Sequence, residues 1–499
     1  MPHPQFKATL NAALPGRILH SIEGLLSWDQ ETHMPKGAIG ARSVQKEYIA
    51  GLCHKEQTSL KFERALSKLI DLDSGNILIE ELSPAEKAAA REWRRDFLKN
   101  HKLPGRFVER FCKVCSEATH AWSAAKDNDD FNSFEPHLTT IMEMAKERAD
   151  HLGYKNHPYD ALLDEYEPDA TSAQIDPLFT ELKPFLIDLT KQVSKPAPDL
   201  PVGPYPATMQ TKFTTDLLFD MGLDPHHTRL DVSSHPFCMD IHPTDLRLTT
   251  HIYEDSPIQN ISAVLHEGGH GLYETGLPAE FYGSPLSEAI SLGIHESQSR
   301  FWEVLIGQSL PFWQYYYPKL QKLFPKLQTF TLDDYYAHLN RVQPSFIRVH
   351  ADEVTYTLHV ILRYELEKEL LSGKLKAKDI PAAWNAKMQD FLGITPPNNA
   401  KGCLQDVHWS CGLIGYFPTY ALGNLYSAQF FATFVKAHPD YASRIACGDL
   451  KFIRAWLLEQ IHCHGRRYSA AELVQNVTGT PLTAKAYKNY LENKYTKGL

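Results

Sequence analysis

SPIQNISAVLHEGGHGLYE, residues 256–274, reads as a helix with a legible start. Ser256 suits the N-cap, Pro257 suits the first helical position, and Gln259 three residues after the serine completes a capping box. Ile258, Ile261, Val264, Leu265 and Leu272 follow at helical spacing. On this helix His266 and His270 are four apart, hence one turn apart on one face, where two imidazoles can grip a single zinc ion. Glu267 projects from the next position. Zinc lowers the pKa of water that it binds to about 7, and a carboxylate so placed can take the proton. Two surface histidines would satisfy the spacing equally well. Against that bland account stand Gly268 and Gly269, each costing roughly 1 kcal/mol relative to alanine inside a helix. Something must approach that backbone closely.

A catalytic zinc takes three protein ligands and keeps one position open. The HExxHxxGxxH pattern would put its glycine at Tyr273 and its third histidine at Gly276, so the third ligand lies elsewhere. A second helix is predicted from Ser284 and Pro285 through LSEAISLGIHESQSRFWEVLI. It offers Glu288, His295 and Glu296. Glu288 reads as a helix-start charge favourable to the dipole. Glu296 lies 26 residues past His270, enough chain for a turn and an antiparallel return, but spacing does not separate it from His295.

Outward from these helices the chain is mostly α. Residues 84–100 and 355–372 carry apolar residues at three- and four-residue spacing among good helix formers. PAPDLPVGPYP (196–206) has five prolines in eleven residues and is a long loop or internal hinge. LRLTTHIY (246–253) suits a short strand. The 499 residues, 43% hydrophobic and 22% charged, can bury a large core. A net charge of -9 without long runs of one sign argues against a nucleic-acid binder, and no stretch approaches the length of a membrane span. The N-terminus does not read as a secretory signal, and eight cysteines suit a reducing compartment, so the expected location is cytoplasmic.

HEGGH followed by HESQ (295–298) resembles the M32 family of metallocarboxypeptidases, the thermostable carboxypeptidase Taq family. HPF (235–237), DLRLT (245–249), IRVHAD (347–352) and GCLQDVHW (402–409) match its other motifs, and SWDQETHMP (27–35) and GYFPTYALGN (415–424) are similar to family segments. The resemblance spans nearly the whole chain in the expected order. It implies that His266, His270 and Glu296 bind the metal and that Glu267 is general base and proton shuttle. It further implies one large, mainly α zinc-peptidase domain over residues 1–499, with a deep active-site groove and a small β element near the site. The implied enzyme is a homodimer releasing single C-terminal residues from peptides with broad specificity, using zinc, for which cobalt can substitute.

Hydrolysis of a peptide bond passes through a tetrahedral oxyanion that needs hydrogen-bond donors. His408, Tyr416 and Tyr420 are the candidates, the tyrosines sharing a face if that stretch is helical. A free C-terminal carboxylate calls for a bidentate arginine, for which Arg348 is chosen over Arg247; the ordinary alternative for either is an ion pair to Asp245 or Asp352. His235 is a candidate substrate contact. Asp352 and Asp406 are candidate acceptors for imidazole N–H groups. Cys112 and Cys115 read as buried thiols on a helix, His462–Cys463–His464 as a surface turn, and segment 84–100 as a solvated face. An oligopeptidase cutting internally and an inert helical binding protein are the competing functional classes.

Overall fold

The computed structural model describes residues 2–497 and is 67% helical, with one three-stranded sheet. Strands β1 (Thr228–Val232), β2 (Cys238–His242) and β3 (Asp245–Thr250) have the order β1-β3-β2, with β3 parallel to β1 and antiparallel to β2. The strand expected over 246–253 therefore ends at Thr250, just before the turn that leads into the next helix.

That helix, Ile258–Glu274, lies across the sheet. The start differs from the one expected: Pro257 is the N-cap rather than the first helical residue, no side chain caps the helix, and Ser256, one position earlier, only accepts a hydrogen bond from the Ile258 N–H at 3.3 Å, so neither the serine cap nor the capping box forms. The two glycines have a packing reason. A Cβ on Gly269 would stand 2.6 Å from the Gln298 carbonyl oxygen, and one on Gly268 would stand 2.8 Å from Leu218 Cδ2. The partner at Gly269 is the backbone of helix Leu292–Arg300, which carries Glu296.

The long helix expected from Ser284 does not form as one piece. A 3₁₀ turn covers Pro285–Ser287, Glu288 is extended, and the helix begins afresh at Leu292 with Ser291 as its N-cap. Glu288 accepts from Arg466 at 3.0 Å instead of sitting at a helix start. Beyond Arg300 the helix loosens into a π-helical segment, Phe301–Ile306.

Helices Pro84–Lys102 and Glu353–Leu371 fall where the periodicity places them. The proline-rich stretch has no regular structure from 194 to 206, between helices Ser172–Val193 and Ala207–Met221. A large apolar core runs from Ala118 to Tyr495, and a smaller one joins the N-terminal helix Pro4–Thr32 to Trp93 and Phe97. Among the described residues no helix is long and apolar enough to cross a membrane. Three bland sequence readings change. Cys112 is exposed, His462 is buried with its Nε2 2.9 Å from Gln298 Oε1, and the 84–102 helix is tied by Arg95 and Lys99 to Asp164 and by Glu92 and Asp96 to Arg466.

Candidate metal centre

Helices Ile258–Glu274 and Leu292–Arg300 cross at Gly269, and the crossing turns His266, His270 and Glu296 toward a common point. One ligand atom from each lies within 4.8 Å of the others. Glu296 Oε2 is 3.5 Å from His266 Nε2 and 3.7 Å from His270 Nε2. Donors on a tetrahedral ion with bonds of 2.0–2.1 Å sit ~3.3 Å apart, so this donor set fits a zinc-like cation. Gly423, on helix Pro418–Ala437, lies against the Glu296 side chain, where a Cβ would collide with its Cγ.

His295 points the other way. Its Nε2 pairs with Glu274 at 2.8 Å, and its ring stacks on His270 at 4.2 Å. Glu267 is 6% exposed; burial, against the opposing His266 and with Glu296, raises its carboxyl to about 7. A cation between the ligands would pull it back toward the ionised form.

The acceptors expected for imidazole N–H groups are engaged elsewhere. Asp352 caps helix Glu353–Leu371 by accepting from Val354 and Thr355 N–H at 3.0 Å. Asp406 is held between two guanidinium groups, accepting from Arg348 at 3.0 Å and from Arg363 Nε at 2.7 Å. Of the two histidines that face Glu296, His266 is met by a carboxylate, Glu303, 2.8 Å from its Nδ1. Sequence reasoning passed over it, although seven residues from Glu296 is two helical turns on the same face.

The second half of the site comes from three of the motif segments. Gln405 accepts from the Arg348 N–H at 2.8 Å and donates to the Phe346 carbonyl at 2.9 Å, joining IRVHAD to GCLQDVHW. His408 Nε2 is 3.1 Å from the Tyr420 hydroxyl, and its buried Nδ1 has no hydrogen-bond partner among the described residues. Burial and the nearby arginines, against Asp406, lower His408 to about 4, so it is neutral at pH 7. Tyr416 precedes helix Pro418–Ala437 instead of lying on it, because the turn at Gly415 (φ 91°) comes first and Pro418 starts the helix. Its ring still stands 5.3 Å from Tyr420. Burial, then the Glu296 charge, raises the Tyr416 phenol, and Glu267 adds to the shift, tying this half to the first.

Arg348 is 5% exposed, with its Cζ 4.8 Å from the Tyr420 ring centroid. Its partner is Asp406 rather than Asp352. Arg247 makes the other ion pair considered, a two-pronged contact with Asp245 at 2.5 and 3.0 Å, and stands over Trp28 at 4.6 Å. His235 is exposed between β1 and β2; among the described residues no hydrogen bond or ion pair joins its ring to this cluster.

The chain matches the family model described as Carboxypeptidase Taq (M32) metallopeptidase over residues 12–495. It is 40% identical to thermostable carboxypeptidase 1 of Thermus thermophilus over 99% of both chains, and 37% identical to carboxypeptidase 1 of Bacillus subtilis over 96% of both. An M32 carboxypeptidase from Deinococcus radiodurans R1 superposes with a TM-score of 0.95 at 35% identity, covering 99% of each chain. Trypanosoma cruzi metallocarboxypeptidase 1 superposes with a TM-score of 0.93 at 33% identity, over 98% of this chain and 99% of that one.

Proposed function

The chain belongs to the carboxypeptidase Taq (M32) metallopeptidase family, and from that premise we propose that this metallocarboxypeptidase uses zinc to release single C-terminal residues from peptides with broad specificity. The observation that carries the reading is the convergence of His266, His270 and Glu296 on one point beside the buried Glu267. In this reading His266, His270 and Glu296 hold the metal, with cobalt an acceptable substitute. The bound metal supplies charge that acidifies water and polarises the scissile carbonyl.

Glu267 takes a proton from the attacking water as its oxygen bonds to the carbonyl carbon. It then returns that proton to the amide nitrogen as the C–N bond breaks. Tyr420 and the neutral His408 donate to the carbonyl oxygen as negative charge develops there. Tyr416 and His235 line the path of the substrate. Arg348 receives the free C-terminal carboxylate. A guanidinium has five N–H donors; Asp406 takes two and Tyr356 one, which leaves two for a substrate.

The chain acts in this proposal as one peptidase domain and as a cytoplasmic homodimer. The core shared from Ala118 to Tyr495 supports the first, and eight unpaired cysteines support the compartment; size-exclusion chromatography with light scattering tests the dimer. The test of function is a peptide with a blocked N-terminus and a free C-terminus. Release of single amino acids should stop on chelation and return with zinc or cobalt, while His266→Ala, His270→Ala and Glu296→Ala proteins should each hold less metal. Internal fragments as first products would overturn the exopeptidase reading, and full metal occupancy in Glu296→Ala would remove Glu296 from the ligand set.

A further inference from the structure

The two histidines that face the metal position are supported unequally. His270 has a buried Nδ1 that no side-chain acceptor meets among the described residues, and its ring is steadied by stacking on His295 at 4.2 Å. His266 instead directs Nδ1 at Glu303 Oε2, 2.8 Å away. An imidazole that binds a metal through Nε2 must carry its proton on Nδ1, and an acceptor there fixes both tautomer and ring orientation.

Glu303 is itself held firmly. Arg300 Nη1 donates to the same Oε2 at 2.7 Å, while Arg300 Nε donates at 2.8 Å to Asn424, one turn along from Tyr420. The backbone beneath Glu303 is the π-helical segment Phe301–Ile306, in which Gly307 N–H reaches back five residues to the Trp302 carbonyl at 2.9 Å. Such wide turns are rare and frequent at functional sites. Phe301, Trp302 and Ile306 are fully buried and lock it in place.

We propose that Glu303 is a positioning residue, whose carboxylate, anchored by Arg300, orients His266 and thereby sets the affinity of the metal site. The inference rests on the reading that His266 is a ligand. The competing account is an Arg300–Glu303 ion pair that serves only to stabilise the fold, which would alter melting but not metal affinity.

The experiment measures zinc Kd by chelator competition, together with the melting temperature of the metal-free protein, for the parent, Glu303→Ala and Glu303→Gln. Losing such a partner weakens metal binding by ~10–100-fold, so Glu303→Ala should lose at least ~10-fold and Glu303→Gln, which keeps an acceptor oxygen but no charge, at least ~3-fold. A folded Glu303→Ala below its threshold overturns the proposal, whatever its melting temperature. Where Glu303→Ala does not fold, Glu303→Gln decides by its own threshold. A His266→Ala protein with parental zinc affinity would instead overturn the ligand assignment beneath the proposal.

Discussion

At the scale of single residues, neighbours on one helix turn divide into different tasks according to which element they meet. His266 and His270 face Glu296, while Glu267 between them sinks to 6% exposure. Replacing that acid with its neutral isostere leaves the shape and removes the base. Glu267→Gln should retain its metal and lose at least ~100-fold in turnover, the lower range of a general-base contribution; near-parental turnover would exclude the assigned mechanism. Arg348 gives a second prediction. Arg348→Ala should weaken cleavage of peptides with a free C-terminus by about 2–4 kcal/mol, the scale of losing one partner of a desolvated charge pair, at unchanged metal content. C-terminally amidated peptides, already poor substrates, should lose little more. Equal losses on both peptides would reduce Arg348 to the structural partner of Asp406.

At the scale of elements, the segment that presents His408 depends on one carboxylate from helix Glu353–Leu371. Glu367 is fully buried and accepts from Trp409 Nε1 at 2.8 Å, Tyr159 Oη at 2.8 Å and Gly415 N at 3.1 Å. Burial raises its pKa from 4.5 to about 7, although those donors resist the shift. A carboxyl raised on folding favours the fold most below its unfolded pKa, and that advantage is lost as pH climbs through the folded one. Between pH 4.5 and 7 the parent should therefore lose on the order of 3 kcal/mol relative to the non-titrating Glu367→Gln. Unfolding free energies with parallel pH profiles for the two proteins would remove Glu367 as the titrating group. The elements also show what the sequence could and could not convey. The helix around HEGGH and the helix at 353–371 were legible because each carries its own periodicity. The break between Pro285 and Leu292 was not, since SPLSEAIS has a plausible start signal at Ser284 and the stronger one, Ser291, only becomes visible once tertiary packing pulls Glu288 to Arg466. Likewise Glu296 outranks His295 only after Glu274 is seen to take the histidine. Asp406 was legible as important, but its partners, Arg348 and Arg363, lie 58 and 43 residues away in sequence.

Across the whole molecule, two of the three converging groups sit on one helix and the third on another, 26 residues later, so an ion held by all three would bridge elements that the unfolded chain holds apart. Ligand binding to the fold alone stabilises it by ~4 kcal/mol at a thousandfold excess over Kd. With an unfolding entropy near ~2 cal/mol/K per residue, a chain of 499 residues should melt roughly 4 °C lower after chelation and recover with zinc. A melting temperature indifferent to zinc would argue that the folded chain holds the ion no better than the unfolded one.

The extended connector from 194 to 206 has a further consequence. It is the kind of exposed segment at which folded proteins are nicked, with Val202 93% exposed. Yet Lys195, Ala197, Leu200, Gly203 and Tyr205 are each followed by proline, so the peptide bonds after its basic, leucine and aromatic side chains are of the kind that trypsin and chymotrypsin refuse. The connector thus carries an exposed stretch of backbone in a form that these two proteases pass over. Limited digestion of the native protein should leave this connector intact with both proteases, while one that accepts small aliphatic residues should cut after Val202.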